Sequence, residues 1–290
     1  MLNLAMFLFI CLCPTWLFAV DCSNYCCQSS STKVCVDSDT GAIAWLGTPS
    51  GSNLVDLHDY GRYIQSSFYR HDSPDNVNDW NPIEEGDSCG NKAAIVTTTD
   101  DGSTLYTKTN MRHWFTAWGC ILSGQYLEKW ITVQGDTVKV RNRYQYTDGG
   151  NYGTVGQEAP AIYLVPYNSF NYVSYYGGAS PWTSGALTST AYSNGACINF
   201  TPTERWTAIT NNTGSSGVGV FYPTLSNSEW WSCDPASETT SYSALTTRWN
   251  VVDQAVLDWS IYFAVGSVTN IRAAFKTVHD SLGMSFPWSR

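Results

Sequence analysis

The sequence predicts an all-β protein: a large antiparallel β-sandwich with one C-terminal helix. Strand-forming segments joined by Asp- and Gly-containing turns recur through the 290 residues, whereas one segment near the end has apolar residues at helical spacing. The chain also holds 13 Trp, 18 Tyr and 11 Phe, residue types that favour strands. Many hairpins and a single helix are typical of two packed sheets.

Four hairpins are predicted from paired β-forming runs around polar turns. In the first, the turn Asp37–Gly41 joins strands at 34–36 and 42–46. This D-x-D-x-G turn resembles half of a calcium loop, but Thr48 stands where the acidic twelfth ligand would fall, so a plain turn is favoured. The other hairpins pair 93–99 with 103–108, 129–133 with 137–144, and 206–210 with 218–222, and later strands are expected at 249–252 and 259–265.

The single helix is predicted near the C-terminus. Thr269 is a candidate cap, Gly283 ends the helical pattern, and His279 is expected on the surface. Its apolar stripe consists of Ile271, Phe275, Val278 and Leu282.

The first 20 residues form an apolar stretch, interrupted by Pro14 and ending near Ala19, which predicts a secretory signal peptide. The expected organisation is therefore a signal peptide at 1–20, a Cys-rich segment at 21–35 and one β-sandwich domain at 36–290. The protein is expected to be secreted and extracellular.

Eight cysteines follow the predicted signal peptide, which suggests up to four disulfides. The cluster between Cys22 and Cys35 is expected to clamp the mature N-terminus, either internally or onto the main body. A zinc site is disfavoured because the cluster lacks paired C-x-x-C spacing. Sequons at Asn199 and Asn211 predict N-glycosylation.

The charge composition limits the partners. The net charge of −9 disfavours nucleic acid and anionic membranes. Abundant aromatic rings beside Asn, Gln, Ser and Thr suit a sugar ligand, because the rings stack on pyranose faces and the polar groups bind hydroxyls. A polysaccharide or oligosaccharide is the expected partner, and the oligomeric state stays open. No cofactor and no metal site are predicted, although a structural calcium is left open.

Three segments carry candidate functional residues. The first is Asp59–Tyr69, where strand alternation would place one polar-aromatic set on one face and a mixed set on the other. The alternative is an ordinary exposed sheet face. The polar-aromatic set is Tyr63, Gln65, Ser67 and Tyr69, and the opposite set is Arg62, Ile64, Ser66 and Phe68.

The second segment is the loop 71–79 and the following Trp80–Asp87, a polar, irregular region that contains Trp80 and Asn81. Its carboxylates could supply a general acid, a calcium site or only solvated charge. They are Asp75, Asp79, Glu84, Glu85 and Asp87.

The third segment is Gly156–Tyr163, in which Glu158 stands alone among Gln, Ala and Pro at the start of an apolar run. Burial would raise the pKa of Glu158 toward the range useful for proton transfer. The alternative is a structural carboxylate that accepts backbone N–H groups or pairs with Arg62 or Arg141.

The order of these motifs resembles a family of secreted β-sandwich proteins. The matching pieces are D-Y-G-R-x-I-Q-x-S-F-Y at 59–69, W-N-P-I-x-x-G-D at 80–87, E-x-W-I-x-x-x-G at 128–135, Q-E-x-P-A-I-Y at 157–163 and E-x-W-x-A at 204–208. The resemblance spans roughly residues 33 to 280. It implies the galactose-mutarotase-like supersandwich and a setting of polysaccharide degradation, without a defined reaction.

The leading functional hypothesis is a glycoside hydrolase or polysaccharide lyase with an aromatic-lined groove. A hydrolase needs two carboxylates, for which Glu158 with Asp87 or Glu84 is the candidate pair. A lyase needs a base such as Tyr69 or His58, with Arg62 or Gln65 neutralising a uronate.

The alternative is a non-catalytic, lectin-like glycan-binding module; a coat or matrix protein is disfavoured by the lack of repeats. The predicted catalytic residues are Glu158, Asp87 and Tyr69, and the predicted substrate-binding residues are Arg62, Gln65, Tyr63, Trp80, Asn81 and Tyr163.

Overall fold

The computed structural model describes residues 21–71, 80–165, 170–191, 197–225, 228–233 and 240–284. The predicted signal peptide and the loop carboxylates Asp75 and Asp79 lie outside these residues. Among the described residues, no helix is long and apolar enough to cross a membrane.

The regular structure of the described residues is mostly antiparallel strand, followed by one α-helix, which confirms the predicted fold class. A single turn of 3-10 helix lies at Thr116–Trp118, and α1 is Val268–Ser281. The strands are β1 (Asp21–Ser23), β2 (Cys26–Gln28), β3 (Lys33–Val36), β4 (Ile43–Gly47), β5 (Ile64–Ser67), β6 (Pro82–Ile83), β7 (Ala94–Asp100), β8 (Thr104–His113), β9 (Leu122–Gln134), β10 (Thr137–Gln145), β11 (Asn151–Leu164), β12 (Tyr172–Tyr175), β13 (Thr188–Ala191), β14 (Cys197–Phe200), β15 (Trp206–Thr210), β16 (Gly217–Phe221), β17 (Ser228–Cys233), β18 (Ser241–Val252) and β19 (Val256–Gly266).

The strands form two facing layers. The first layer has the order β14-β17-β18-β11-β5, and the second has the order β13-β12-β15-β16-β19-β10-β9-β8-β7. Strands β4, β3, β2 and β1 continue from β5, each paired with the one before it. The short strand β6 pairs with both β5 and β8 and so joins the layers at one edge. Their inner faces meet in the main core, where Phe68 stacks on Tyr144 with ring centroids 3.7 Å apart.

The predicted hairpins are confirmed by the pairing of β3 with β4, β7 with β8, β9 with β10, and β15 with β16. Each forms because two β-forming runs are separated by a short polar turn. In β10 the alternation also holds: Val138, Val140, Asn142 and Tyr144 are buried, whereas Arg143 is exposed.

The N-terminal cysteines pair within their own segment. The disulfides are Cys22–Cys27 and Cys26–Cys35, so the internal clamp is the correct one of the two predicted arrangements. Because Cys22 and Cys27 are also buried in the main core, the segment is packed against the sandwich as well as closed on itself. A further disulfide joins Cys89 and Cys120.

Helix α1 covers the outer face of the second layer. Ile271, Phe275 and Val278 of the predicted stripe are buried in a second apolar cluster with residues of β15, β16 and β19. Gly219 permits this contact, because a Cβ there would lie 2.3 Å from the side chain of Ile271. Strands β15 and β16 are consequently buried on both faces.

The helix differs from its prediction at both ends. Ser267, rather than Thr269, is the N-cap, and its side chain accepts the N–H of Asn270. Leu282 is 44% exposed and does not extend the buried stripe. The surface position predicted for His279 is wrong, because its ring is buried against Trp182 at a centroid distance of 4.8 Å.

A buried ion pair fastens α1 to the second layer. Glu204, which precedes β15, is fully buried and accepts two hydrogen bonds from Arg272 of the helix, at 2.9 and 2.6 Å. The indole N–H of Trp206 donates to the same carboxylate at 2.7 Å. The E-x-W pair at 204–206 is therefore a structural motif that holds the helix in place.

We expect Arg272→Ala to lower the free energy of unfolding by about 3 kcal/mol, because it leaves the buried Glu204 carboxylate without its cation. Lys276→Ala, which removes an exposed pair with Asp280 on the same helix, should cost under about 0.5 kcal/mol. Equilibrium urea denaturation of both variants measures this difference. Equal small losses of unfolding free energy in the two variants would contradict the structural role of the buried pair.

Candidate functional site

The outer face of the first layer carries the candidate site. We call the outer faces of β5, β11, β18, β17 and β14 the open face, since α1 packs on the other layer. A pocket of about 190 Å³ lies at its β5 end. It is lined by Gly61, Arg62, Gln65, Ser67, Tyr69, Asn81, Ile83, Trp114, Phe115, Glu158, Ala161 and Tyr163.

A β-bulge in β11 aligns the pocket residues. Glu158 and Ala161 lie opposite Ser67 and Gln65 on β5, and opposite Thr246 and Ala244 on β18. Three residue steps on β11 therefore match two steps on each neighbouring strand. Because side chains alternate between faces, this extra residue brings Glu158 onto the same face as the residues after the bulge, Ala161 and Tyr163.

The chain entering β5 departs from the predicted alternation. Tyr63 has a left-handed φ of 67°, so the alternating pattern starts only at β5 itself. Arg62 consequently lines the pocket, although alternation had placed it on the opposite face from Gln65 and Tyr69. Tyr63 is 7% exposed and lies outside the pocket lining.

The aromatic wall of the pocket rests on a glycine. A Cβ at Gly61 would lie 2.6 Å from the indole of Trp114, so only glycine allows this ring to pack against the 59–62 turn. The turn is fixed by Asp59, whose carboxylate accepts the N–H of Gly61 at 2.8 Å. The D-Y-G-R motif thus shapes one side of the pocket.

Glu158 is surrounded by hydroxyl groups. The phenol of Tyr242 donates to Glu158 Oε1 at 2.5 Å, and the phenol of Tyr69 is also hydrogen-bonded to this carboxyl group. Behind Tyr69, the hydroxyl of Ser67 lies 2.9 Å from the Tyr69 oxygen and 2.8 Å from Asn81 Oδ1. These contacts form a continuous polar chain from Asn81 to Tyr242.

Burial changes the proton affinities in this chain. It raises the pKa of Glu158 above the ordinary glutamate value, while the hydrogen bonds from Tyr242 and Tyr69 act in the opposite direction. The pKa values of both tyrosines are raised well above 10, mainly by burial and also by the Glu158 charge. Glu158 is therefore the group whose protonation changes most readily, and the phenols stay protonated.

Arg62 supplies the positive charge of the pocket. Its guanidinium lies over the ring of Tyr163 at 5.0 Å from the centroid, and its side chain is 13% exposed. Tyr163 in turn packs on Tyr242 with centroids 4.9 Å apart. The stack fixes a planar cation at the pocket wall, a geometry suited to binding a carboxylate.

Six of the predicted site residues converge in the pocket, but two of them also support its frame. The Gln65 amide donates to the backbone oxygens of Tyr60 and Arg62 and accepts the N–H of Glu85, which occupies its polar atoms. The Asn81 backbone accepts the N–H of Trp114. The six are Arg62, Gln65, Tyr69, Asn81, Glu158 and Tyr163.

Trp80 does not line the pocket. It is 3% exposed, its indole N–H donates to Asp148 at 2.9 Å, and Arg70 lies over its ring at 4.5 Å. His58, the other candidate base, is also outside the lining and is paired with Asp56.

The predicted pairing of Glu158 with Asp87 or Glu84 does not occur. Asp87 is buried outside the pocket, where it accepts the backbone N–H groups of Cys89 and Asn91 and pairs with Arg112 at 3.3 Å. Glu84 is fully buried 2.5 Å from the amine of Lys129. Both carboxylates are committed to structural contacts because each is enclosed with a cation.

One group of possible metal ligands occurs among the residues with described positions: Asp87, Cys89 and Cys120, whose ligand atoms lie within 4.8 Å of one another. The two sulfurs form a disulfide, which leaves one ligand. This chemistry does not suit a metal ion.

Sequence reasoning missed Tyr242, Trp114 and Phe115. Tyr242 reaches Glu158 only because β18 pairs with β11 across a long sequence separation. Trp114 and Phe115 follow β8 and line the pocket, and Trp114 packs against the turn at Gly61. No local pattern in the sequence marks these partners.

No protein-family model and no curated protein matches this sequence. Solved structures do match. A galactose mutarotase related enzyme from Lactobacillus acidophilus is 8% identical, with a TM-score of 0.52 over 84% of this chain and 98% of that one. A galactose mutarotase-like protein from Lactobacillus casei is 7% identical, with a TM-score of 0.50 over 82% and 98%.

A third match is an alpha-N-acetylgalactosaminidase from Bifidobacterium bifidum, at 9% identity and a TM-score of 0.53. It covers 88% of this chain but only 38% of that longer enzyme. At these identities the similarity establishes the fold, a galactose-mutarotase-like sandwich, which agrees with the fold implied by the motif resemblance.

We expect Tyr242→Phe to raise the pKa of Glu158 further, because the lost hydrogen bond stabilises the charged carboxylate. Carboxyl-carbon NMR of glutamate-labelled protein across a pH titration measures the change. Tyr262→Phe is the matched control, since Tyr262 is buried beneath α1 and distant from this pocket. An unchanged titration in Tyr242→Phe would exclude the predicted hydrogen bond.

Glu85 gives a separate prediction about pH. It is fully buried, accepts a hydrogen bond from Thr40, and lies near Asp37, Lys92 and Glu84; burial raises its pKa to about 8. A raised pKa means that the folded state binds the proton more tightly, so stability should fall between about pH 4.5 and pH 8, by at most about 1.4 kcal/mol per pH unit.

Glu85→Gln should remove the part of this fall in stability that the titration of Glu85 causes. Urea denaturation of wild type and variant at several pH values across that window provides the measurement. Parallel stability profiles for the two proteins would contradict a proton held by Glu85.

Proposed function

We propose that the protein is a secreted carbohydrate-active enzyme that cleaves a uronate-containing polysaccharide by elimination. The observation that carries the proposal is Glu158, a carboxyl group hydrogen-bonded to two phenols in a pocket that also holds Arg62. The small pocket suits a single sugar ring, since drug-sized ligands need about 300 Å³ or more.

The lining favours elimination over two-carboxylate hydrolysis. Among the described lining residues, Glu158 is the one carboxylic acid. Classical hydrolases need two carboxylates at about 5–10 Å from each other, and the other candidates, Glu84 and Asp87, are enclosed with their own cations. A lyase needs one base, one acid and a group that neutralises the uronate carboxylate.

The residues of the pocket suit these three roles. Arg62 would pair with the uronate carboxylate, which lowers the cost of removing the adjacent carbon-bound proton. Glu158, whose pKa is raised by burial, would take that proton in its carboxylate form. The electron pair left on carbon forms the double bond and expels the glycosidic oxygen.

Tyr69 would complete the reaction as the acid. Its pKa lies well above 10, so its hydroxyl is protonated at neutral pH and can donate to the leaving oxygen. The resulting phenolate would recover a proton from Glu158 through the hydrogen bond that joins them. The cycle then ends with one unsaturated uronate end, one new reducing end and both side chains in their starting states.

The test is incubation of the purified protein with polygalacturonate, alginate and glucuronan, and with neutral galactan and glucan. Ultraviolet absorbance of unsaturated uronates and reducing ends are followed together. We expect both signals on a uronate polymer and neither on the neutral ones. Reducing ends without absorbance would reject elimination in favour of hydrolysis.

We expect Glu158→Gln and Tyr69→Phe each to lower kcat by at least about 100-fold, in line with general acid–base catalysis, with little change in glycan binding. Glu128→Gln, a glutamate of β9 outside the pocket, is the matched control and should keep full activity. Full activity in Glu158→Gln would remove this residue from catalysis. Glycan retention by wild type without cleavage would favour the alternative, a lectin-like binding module.

A further inference from the structure

Trp231 is an exposed indole on the open face that the pocket does not use. Along β17 the side chains alternate, so Trp230 is fully buried in the core and Trp231 is 41% exposed. Single exposed apolar residues are common on protein surfaces, so exposure alone carries no conclusion. The inference is drawn instead from the position of Trp231 relative to the pocket.

Strand register places Trp231 in line with the pocket. Ala161 of the pocket lies opposite Ala244 on β18, and Ala244 lies opposite Trp231 on β17. Trp231 is therefore two strands from the pocket on the same face, about 10 Å away. This distance exceeds one sugar ring and is within the reach of a linked chain.

The surface between the two points carries only small side chains in this row. Ala161 and Ala244 add no more than methyl groups, whereas tyrosines occupy the neighbouring row on one side, at positions 163 and 242. The other neighbouring row contains Glu158 and Thr246. Ala161 and Ala244 are 2% and 1% exposed, so a ligand that crosses β18 from the pocket to β17 would contact the flanking side chains of the neighbouring rows as well as these two methyl groups.

Polar groups surround the indole. Asn199 of β14 lies opposite Trp231, and its amide donates to the Glu229 carboxylate at 3.3 Å. Glu229 is itself on β17, two residues from Trp231 and on the same face. An exposed aromatic face with an amide and a carboxylate beside it offers stacking to a pyranose ring and hydrogen bonds to its hydroxyls.

We infer that Trp231 is a stacking platform for a second part of the glycan, so that the bound substrate is a chain extending from the pocket across β18 to β17. The inference rests on the proposed function, and it assigns the substrate class as oligosaccharides or polysaccharides rather than single sugars. Trp231 binds substrate and takes no part in proton transfer.

The glycosylation sequon at Asn199 offers a second source of sugar that could stack on Trp231. A glycan attached to Asn199 would start beside Trp231 on the same face. The protein's own glycan could then occupy the indole instead of a substrate. The experiment therefore includes Asn199→Gln.

The experiment measures binding by calorimetry in the Glu158→Gln background, which keeps ligands intact. The probes are galacturonate, mannuronate, glucuronate and galactose oligomers of increasing length, from the monomer upward. We expect Trp231→Ala to weaken binding of the longer oligomers about tenfold, the loss of one aromatic contact, and to leave monomer affinity unchanged. Tyr126→Ala is the matched control, since Tyr126 is 40% exposed on β9, in the second layer.

The outcomes distinguish a failure of the Trp231 inference from a failure of the proposed function. Unchanged affinity of Trp231→Ala for long oligomers, or an equal loss for monomer and oligomers, would overturn the platform and leave the pocket standing. An effect of Trp231→Ala that disappears in Asn199→Gln would assign the indole to the protein's own glycan and also overturn the inference. No binding of any probe by wild type would overturn the proposed function itself.

Discussion

The candidate site depends on the extra residue in β11. Without the bulge, strict alternation would put Glu158 and Tyr163 on opposite faces of the sheet. With it, Glu158 shares a face with Ala161 and Tyr163, and the segment after β5 and strand β18 contribute Tyr69 and Tyr242 around it. Pairing on both sides holds this irregularity in place, because β5 and β18 show the same shift against β11.

Three buried carboxylates outside the pocket have a different environment from that of Glu158. Glu84 and Glu204 lie against a lysine and an arginine, and Asp87 lies against Arg112. An enclosed cation lies against each of these carboxylates, and removing either partner of such a buried pair is costly. Glu158 instead receives its hydrogen bonds from phenols, which satisfy the carboxylate without a positive charge. The protonation of Glu158 is therefore governed by burial and by these neutral donors rather than by a paired cation.

Local patterns predicted the parts of the fold that local chemistry decides. Hairpins were located by turns between β-forming runs, and the helix by the buried stripe of Ile271, Phe275 and Val278. Alternation failed at Tyr63, where a left-handed residue breaks the strand pattern, and at the bulge after Glu158. The acidic run at 84–87 was misread as candidate catalytic charge because its cations, Lys129 and Arg112, come from other strands. Such partners depend on long-range pairing, which a single sequence does not specify.

The unequal covering of the two layers also separates the positions that stability constrains from those that can vary. Beneath α1, β15 and β16 are buried on both faces, so nearly every side chain there must fit a packed neighbour. On the open face, β11 and β18 each have a run of buried residues near the bulge, whereas outward residues such as Tyr163 and Thr246 are partly exposed. Outward residues such as Thr246 and Trp231 can therefore be exchanged without repacking the interior that keeps the scaffold folded.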